Sequence, residues 1–309
     1  MTGIGAILEL PLFIYSDGFI SKMLAQQLIN GLTLGSTYAL VALGFTLVFG
    51  ILGMINFAHG EIFMLGAYIA LLLVTMGKFS IFWALMGGMV GAAILGMIIE
   101  RVSFRPLRSV SILAPLISTI GLSIFLRSLA QIIFGAESTR FPVSIKTEFY
   151  QLGPFQISLL QIVILAISFG LMAVFQVFIK KTKVGKAMRA TSESLHTAGL
   201  LGISVDRIVL LSFAVASALG GVAGVLLGLN FNAISPLMGK MVGLKGLTII
   251  ILGGMGNITG AMVGGLFLGF IEVLSVGYLT SSYRDAVAFA LMFLVLLIRP
   301  TGLFGRVVR

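Results

Sequence analysis

The chain has 309 residues, 59% of them hydrophobic and only 10% charged, with 20 lysines and arginines against 10 acidic residues and a mean hydropathy of +1.15. That is the composition of a chain that lives in a bilayer, with repeated apolar runs of the roughly 20-residue kind that a spanning helix needs. It leaves no room for a water-soluble catalytic domain, and the lack of cysteine excludes a disulfide framework, a thiolate metal site and a thiol nucleophile.

In chain order, residues 1–20 read as an N-terminal extension. Its apolar run at 4–14 has no preceding Lys or Arg, so the sequence predicts an amphipathic or interfacial segment instead of a cleaved signal, with Asp17 and Gly18 as its punctuation. Apolar runs between charges then predict nine spans, near 26–49, 62–76, 81–99, 112–134, 157–179, 208–229, 241–252, 259–279 and 286–298. The runs at 62–76 and 241–252 are shorter than the roughly 17 residues of an upright span, and each adjoins a glycine-rich polar junction. They are tilted, extended through those junctions, or broken. The fold class expected is therefore an all-α polytopic membrane protein of about eight to nine helices, with the membrane-spanning body over residues 21–309.

The positively charged loops alternate, which sets orientation. One set holds Arg101, Arg105 and Arg108, then Lys180, Lys181, Lys183, Lys186, Arg189 and Arg207, then Arg299, Arg306 and Arg309, and is placed in the cytoplasm. The loop between 134 and 157 balances Arg140 and Lys146 against Glu137 and Glu148 and faces outward. Counting back puts 254–258 inside, 230–240 outside and the N-terminus outside. The net charge of +10 is then chiefly an orientation signal, and a nucleic-acid partner is excluded because the basic residues sit in short loops, not on one folded face.

Polar side chains within the apolar runs are candidates for a solute pathway, since groups left beside hydrocarbon normally face a protein interior or a cavity. Thr33, Ser36, Thr37 and Thr46 lie on the first span, and Asn56, His59, Gly60 and Glu61 form a cluster between the first two. A polar turn joining two helices is the alternative for that cluster. Arg127 and Glu272 lie deep in their spans, where each costs about 2.5–3.5 kcal/mol unless it snorkels or is paired. They read as a structural contact between helices, or as Arg127 reaching for the outer interface. Covalent catalysis finds no support. The two histidines, His59 and His196, have no HExxH context, there is no G-x-S-x-G elbow, and no GxxxxGK[ST] loop is present to cradle a nucleotide phosphate.

The inner loop at 180–207 is long for a helix connection. It reads as a short amphipathic helix flanked by turns, with Ser192 or Ser194 as its cap, Gly202 as its end and Asp206 capping the next span.

These segments together resemble the first permease subunit of the high-affinity branched-chain amino acid ABC importers. The resemblance is carried by residues 31–70 with their Asn-Phe-Ala-His-Gly-Glu signature, by Glu100-Arg101-Val102 through Arg105-Pro106-Leu107-Arg108, by 185–203, by 243–272, and by the ending Arg299-Pro300-Thr301-Gly302-Leu303-Phe304-Gly305. It implies an ABC-importer permease fold, a second homologous permease, two cytoplasmic ATPases that use ATP and Mg, and an extracytoplasmic substrate-binding protein. No cofactor is expected on this chain itself. It also implies that Gly185, Arg189, Ala190, Glu193, Gly199, Gly202 and Ile203 belong to the loop that seats on an ATPase. The expected location is the bacterial cytoplasmic membrane, and the expected mechanism is alternating access with ATP binding as the bias. An importer of urea or short amides shares the architecture and stands as the rival. A stand-alone channel is opposed by the inner loop, which it has no reason to shape for docking.

Overall fold

The computed structural model describes residues 17–111, 113–142, 148–153 and 155–305. The apolar run at 4–14 lies outside them. The helices are α1 (Asp17–Leu52), α2 (His59–Thr75), α3 (Ile81–Ile99), α4 (Leu113–Phe134), α5 (Leu159–Lys181), α6 (Lys183–Glu193), α7 (Leu195–Leu200), α8 (Val205–Phe231), α9 (Met238–Gly253), α10 (Ile258–Tyr278) and α11 (Arg284–Ile298). A π-turn at Glu100–Phe104 continues α3, and a short antiparallel hairpin, β1 (Phe149–Leu152) with β2 (Phe155–Ser158), precedes α5. Each predicted span has its helix, and seven helices among the described residues are long and apolar enough to cross a membrane. The protein is an all-α, multi-pass membrane protein.

One boundary is corrected. Asp17 and Gly18 do not form a turn but are the first described residues of α1. At 36 residues it is about 54 Å long, well beyond a hydrocarbon core of about 30 Å.

The bundle is built around α1 and α8, which bury most of their length. The most extensive contact joins α1 to α10, followed by that between α3 and α8. Small residues make the first possible: a Cβ added to Gly265 or Gly269 would run into the backbone of Ala39 or Gly35. Lipid-immersed helices gain little from hydrophobicity, so backbone approach of this kind is what holds them together. By contrast α4, α5 and α11 present large apolar side chains outward, such as Ile132, Val174 and Leu297.

Long-range contacts group the loops into two ends that agree with the charge pattern. At one end Thr139 and Ile234 bridge as an isolated antiparallel pair, and the Gln156 amide donates to Gln26. At the other, Asp206 accepts from Arg105 at 2.8 Å and from Arg108, while the Asn257 amide donates to the Phe304 carbonyl at 2.9 Å. The described residues of every loop assigned to the basic side fall at this second end. Asp206 is therefore not the cap of α8. Ser204 precedes the helix, and Asp206 in the first turn ties the α3–α4 connection to it.

Candidate functional site

The Asn56–Glu61 cluster is not a surface turn. The chain leaves α1 at Leu52, turns at Gly53 with φ +63°, and runs back into the bundle before α2 begins at His59. His59 packs edge-to-face on Phe45, with ring centroids 4.5 Å apart, and against Gly44, eight residues and about 12 Å before the end of α1. Helix α2 is thus short because it starts inside the protein. Its exposed backbone is satisfied locally: the Asn56 side-chain oxygen accepts from the Ala58 amide at 3.0 Å, and the Asn56 and Ala58 carbonyls accept from His59, Glu61 and Ile62. Unpaired amides in a bilayer core are costly, so Asn56 is what permits the break. Gly60 lets the start of α2 meet α9, because a Cβ there would collide with the Gly239 carbonyl and the Gly243 Cα.

Glu61 is buried in the first turn of α2, where a carboxylate also complements the helix dipole. One of its oxygens accepts from Ser123 at 3.0 Å and lies 3.9 Å from the Arg127 guanidinium, both on α4. Arg127 therefore faces Glu61, which corrects the sequence-based pairing of Arg127 with Glu272. Ser123, Arg127 and Lys240 line a cavity of about 310 Å³ between α4 and α9, whose remaining wall is largely apolar, with Phe45, Ile124, Leu244 and Leu247.

Glu272 has other partners. It is fully buried, with Lys245 at 2.6 Å, Arg284 at 2.8 Å and the Tyr38 hydroxyl donating at 2.9 Å. Lys245 also reaches Asp285 at 2.8 Å, so the cluster joins α1, α9, α10 and α11. Sequence reasoning passed over Lys245, although a lysine inside the apolar run at 241–252 is the same signal that singled out Arg127. Of the first-span hydroxyls, Thr33, Ser36 and Thr37 return hydrogen bonds to carbonyls of their own helix at 2.7–2.9 Å. Thr33 borders a cavity of about 380 Å³ that also contains Asn30, Gln161 and Arg284, and Thr46 borders one of about 550 Å³ at the end of the basic loops.

The inner loop differs from expectation in having two helices. Thr182 caps α6 by accepting from the Gly185 amide at 3.0 Å, and Ser194 caps α7 by accepting from Thr197 at 3.2 Å; Ser192 instead donates to the Arg189 carbonyl. Gly202 ends the segment at φ +82°. Gly185, Met188 and Thr191 are buried against the bundle, and Gly185 packs where a Cβ would strike the Phe178 and Ile179 backbone. The outer side of the loop is open: Leu200 and Leu201 are 76% and 74% exposed, and only Val205 lies within 4 Å of the Cβ position of Gly199. Arg189 and Glu193 border the same cavity as Thr46, Arg189 also donating to the Lys180 carbonyl at 3.4 Å. Ala190 and Ile203 lie between these features and complete the segment.

A multi-pass bundle with a helix that starts inside it, polar cavities at both ends and a structured inner loop is a membrane permease. Residues 27–296 match the family described as branched-chain amino acid transport system / permease component, and the chain belongs to it. It is 44% identical to the high-affinity branched-chain amino acid transport system permease protein LivH of Escherichia coli strain K12, over 91% of this chain and 95% of that one. BraD of Pseudomonas aeruginosa, of the same description, is 43% identical over 91% and 95%. The probable branched-chain amino acid transport permease LivH of Methanocaldococcus jannaschii is 31% identical over 86% and 88%.

Proposed function

We propose that this chain is the permease subunit of an ATP-driven importer for leucine, isoleucine and valine, forming half of the translocation pathway. The observation that carries this is the likeness along nearly the whole length to permeases described as serving branched-chain amino acids. The complete importer holds a second, homologous permease, two cytoplasmic ATPases that bind ATP and Mg, and an extracytoplasmic substrate-binding protein. The chain lies in a bacterial cytoplasmic membrane with its N-terminus outside and its C-terminus in the cytoplasm. Helices α6 and α7 seat on an ATPase: the exposed Leu200 and Leu201 supply an apolar contact and the open Gly199 allows close approach. Closure of the ATPase pair then moves the permease because those contacts differ between the two states.

Reconstitution tests it. Proteoliposomes containing both permeases and both ATPases should accumulate labelled leucine only with ATP inside and loaded binding protein outside. Accumulation of urea or a short amide, with none of leucine, would overturn the substrate assignment.

A further inference from the structure

Arg127 stands far along α4, the fifteenth of its 22 residues, yet donates no hydrogen bond among the described residues. Its nearest anionic oxygen, on Glu61, is 3.9 Å away, beyond hydrogen-bonding distance, and already accepts from Ser123. An arginine serving only as a structural tie donates directly to its partner, as Arg284 does through Nε to Glu272 at 2.8 Å. Arg127 instead lines the cavity of about 310 Å³, which Lys240 also borders, with its donors unspent. A volume at the low end of the range for ligand pockets suits a small solute. Walls of Phe45, Ile120, Ile124, Leu244 and Leu247 suit an aliphatic group, and the Arg127 guanidinium, with Lys240 on the same lining, suits a carboxylate. The cavity lies against the start of α2, where Gly60 and Gly239 touch, so an occupant reaches the same junction that Asn56 and Glu61 build.

We infer that this cavity is where the subunit holds the amino acid in transit, with Arg127 donating hydrogen bonds to the α-carboxylate and the α4–α9 wall packing on the branched side chain. Glu61 and Ser123 are positioning residues. Glu61 keeps the guanidinium at the cavity edge, and Ser123 keeps the Glu61 carboxylate turned toward it. This rests on the importer reading above and adds the binding geometry to it.

The test uses the assembled importer in proteoliposomes with the binding protein saturated by leucine, so that delivery is equal for all variants. Arg127→Met and Leu247→Trp should each lower maximal leucine uptake by about tenfold or more, the range expected on losing hydrogen bonds to a charged group. Arg127→Lys, which keeps the charge and loses the fork, should retain more uptake than Arg127→Met. Photo-leucine delivered by the binding protein and irradiated during turnover should label peptides containing residues 120–127 or 244–247. Wild-type leucine uptake, with all three variants at wild-type rate and photo-leucine attached elsewhere, would overturn this inference and leave the importer reading intact. Labelling elsewhere with impaired variants would also overturn it, by making Arg127 a structural residue. Failure of the wild-type assembly to move leucine while it moves another solute would instead overturn the importer reading.

Discussion

Replacing Glu272 by leucine leaves Lys245 and Arg284 facing one another across a site with no carboxylate except Asp285. Lys245 is only 5% exposed, so its charge cannot be recovered by water, and removing one member of such a buried pair costs about 3–5 kcal/mol. The Tyr38 hydroxyl loses its acceptor as well, for about 1 kcal/mol more. Lys245→Met is expected to cost a similar amount by stranding Glu272. The combination of both changes is the informative one. It removes the stranded charge, while Arg284 and Asp285, at 27% and 44% side-chain exposure, stay partly hydrated. The double variant should therefore be more stable than the sum of the single effects by about 0.5–3 kcal/mol. Unfolding by SDS in mixed micelles, followed by far-ultraviolet circular dichroism, measures all four corners of the cycle. Single changes below about 1 kcal/mol, or strict additivity, would refute the claim that Glu272 and Lys245 hold the four helices together.

Asn56→Leu strands the Ala58 amide at a cost of about 1–3 kcal/mol and should impair uptake more than Glu61→Gln, which keeps the contact with Ser123; uptake at matched membrane levels compares them. Gly199→Leu fills the open side of α7 and Arg189→Glu reverses charge beside the cavity that Thr46 borders, so both should abolish ATPase co-purification while the second permease still associates. Retained co-purification in both would reduce the loop to a connector. A tag after Arg309 should be reached by protease only from the cytoplasm, and one at Glu137 only from outside; the reverse on intact cells would invert the orientation.

Much of the fold was legible because a bilayer restricts the choices. A segment of about 20 apolar residues has to cross as a helix, so the helices over the nine apolar runs followed from hydropathy. The ends of α1 and the split of the inner loop were less legible, since they depend on local caps. Thr182 and Ser194 are competent caps by type, but Ser192 is equally competent, and only the fold decides which of them meets a free amide.

The site was legible as a set of unusual residues and illegible as a set of partners. An arginine and a glutamate in separate apolar runs announce that each needs a counter-charge, but sequence separation does not order helices in a bundle. That order is set by where backbones can approach. The small residues carry the information: Gly35 and Ala39 against Gly265 and Gly269 bring α1 to α10, and Gly60 against Gly239 and Gly243 brings α2 to α9. Once those faces are joined, Glu272 comes to Tyr38 and Lys245, and Glu61 comes to Ser123 and Arg127 on α4. Pairing of charges is thus a consequence of glycine complementarity in this protein. Gly269→Leu should accordingly disturb the Glu272 cluster more than any conservative change within the apolar wall of α11, a comparison that the same SDS titration makes directly.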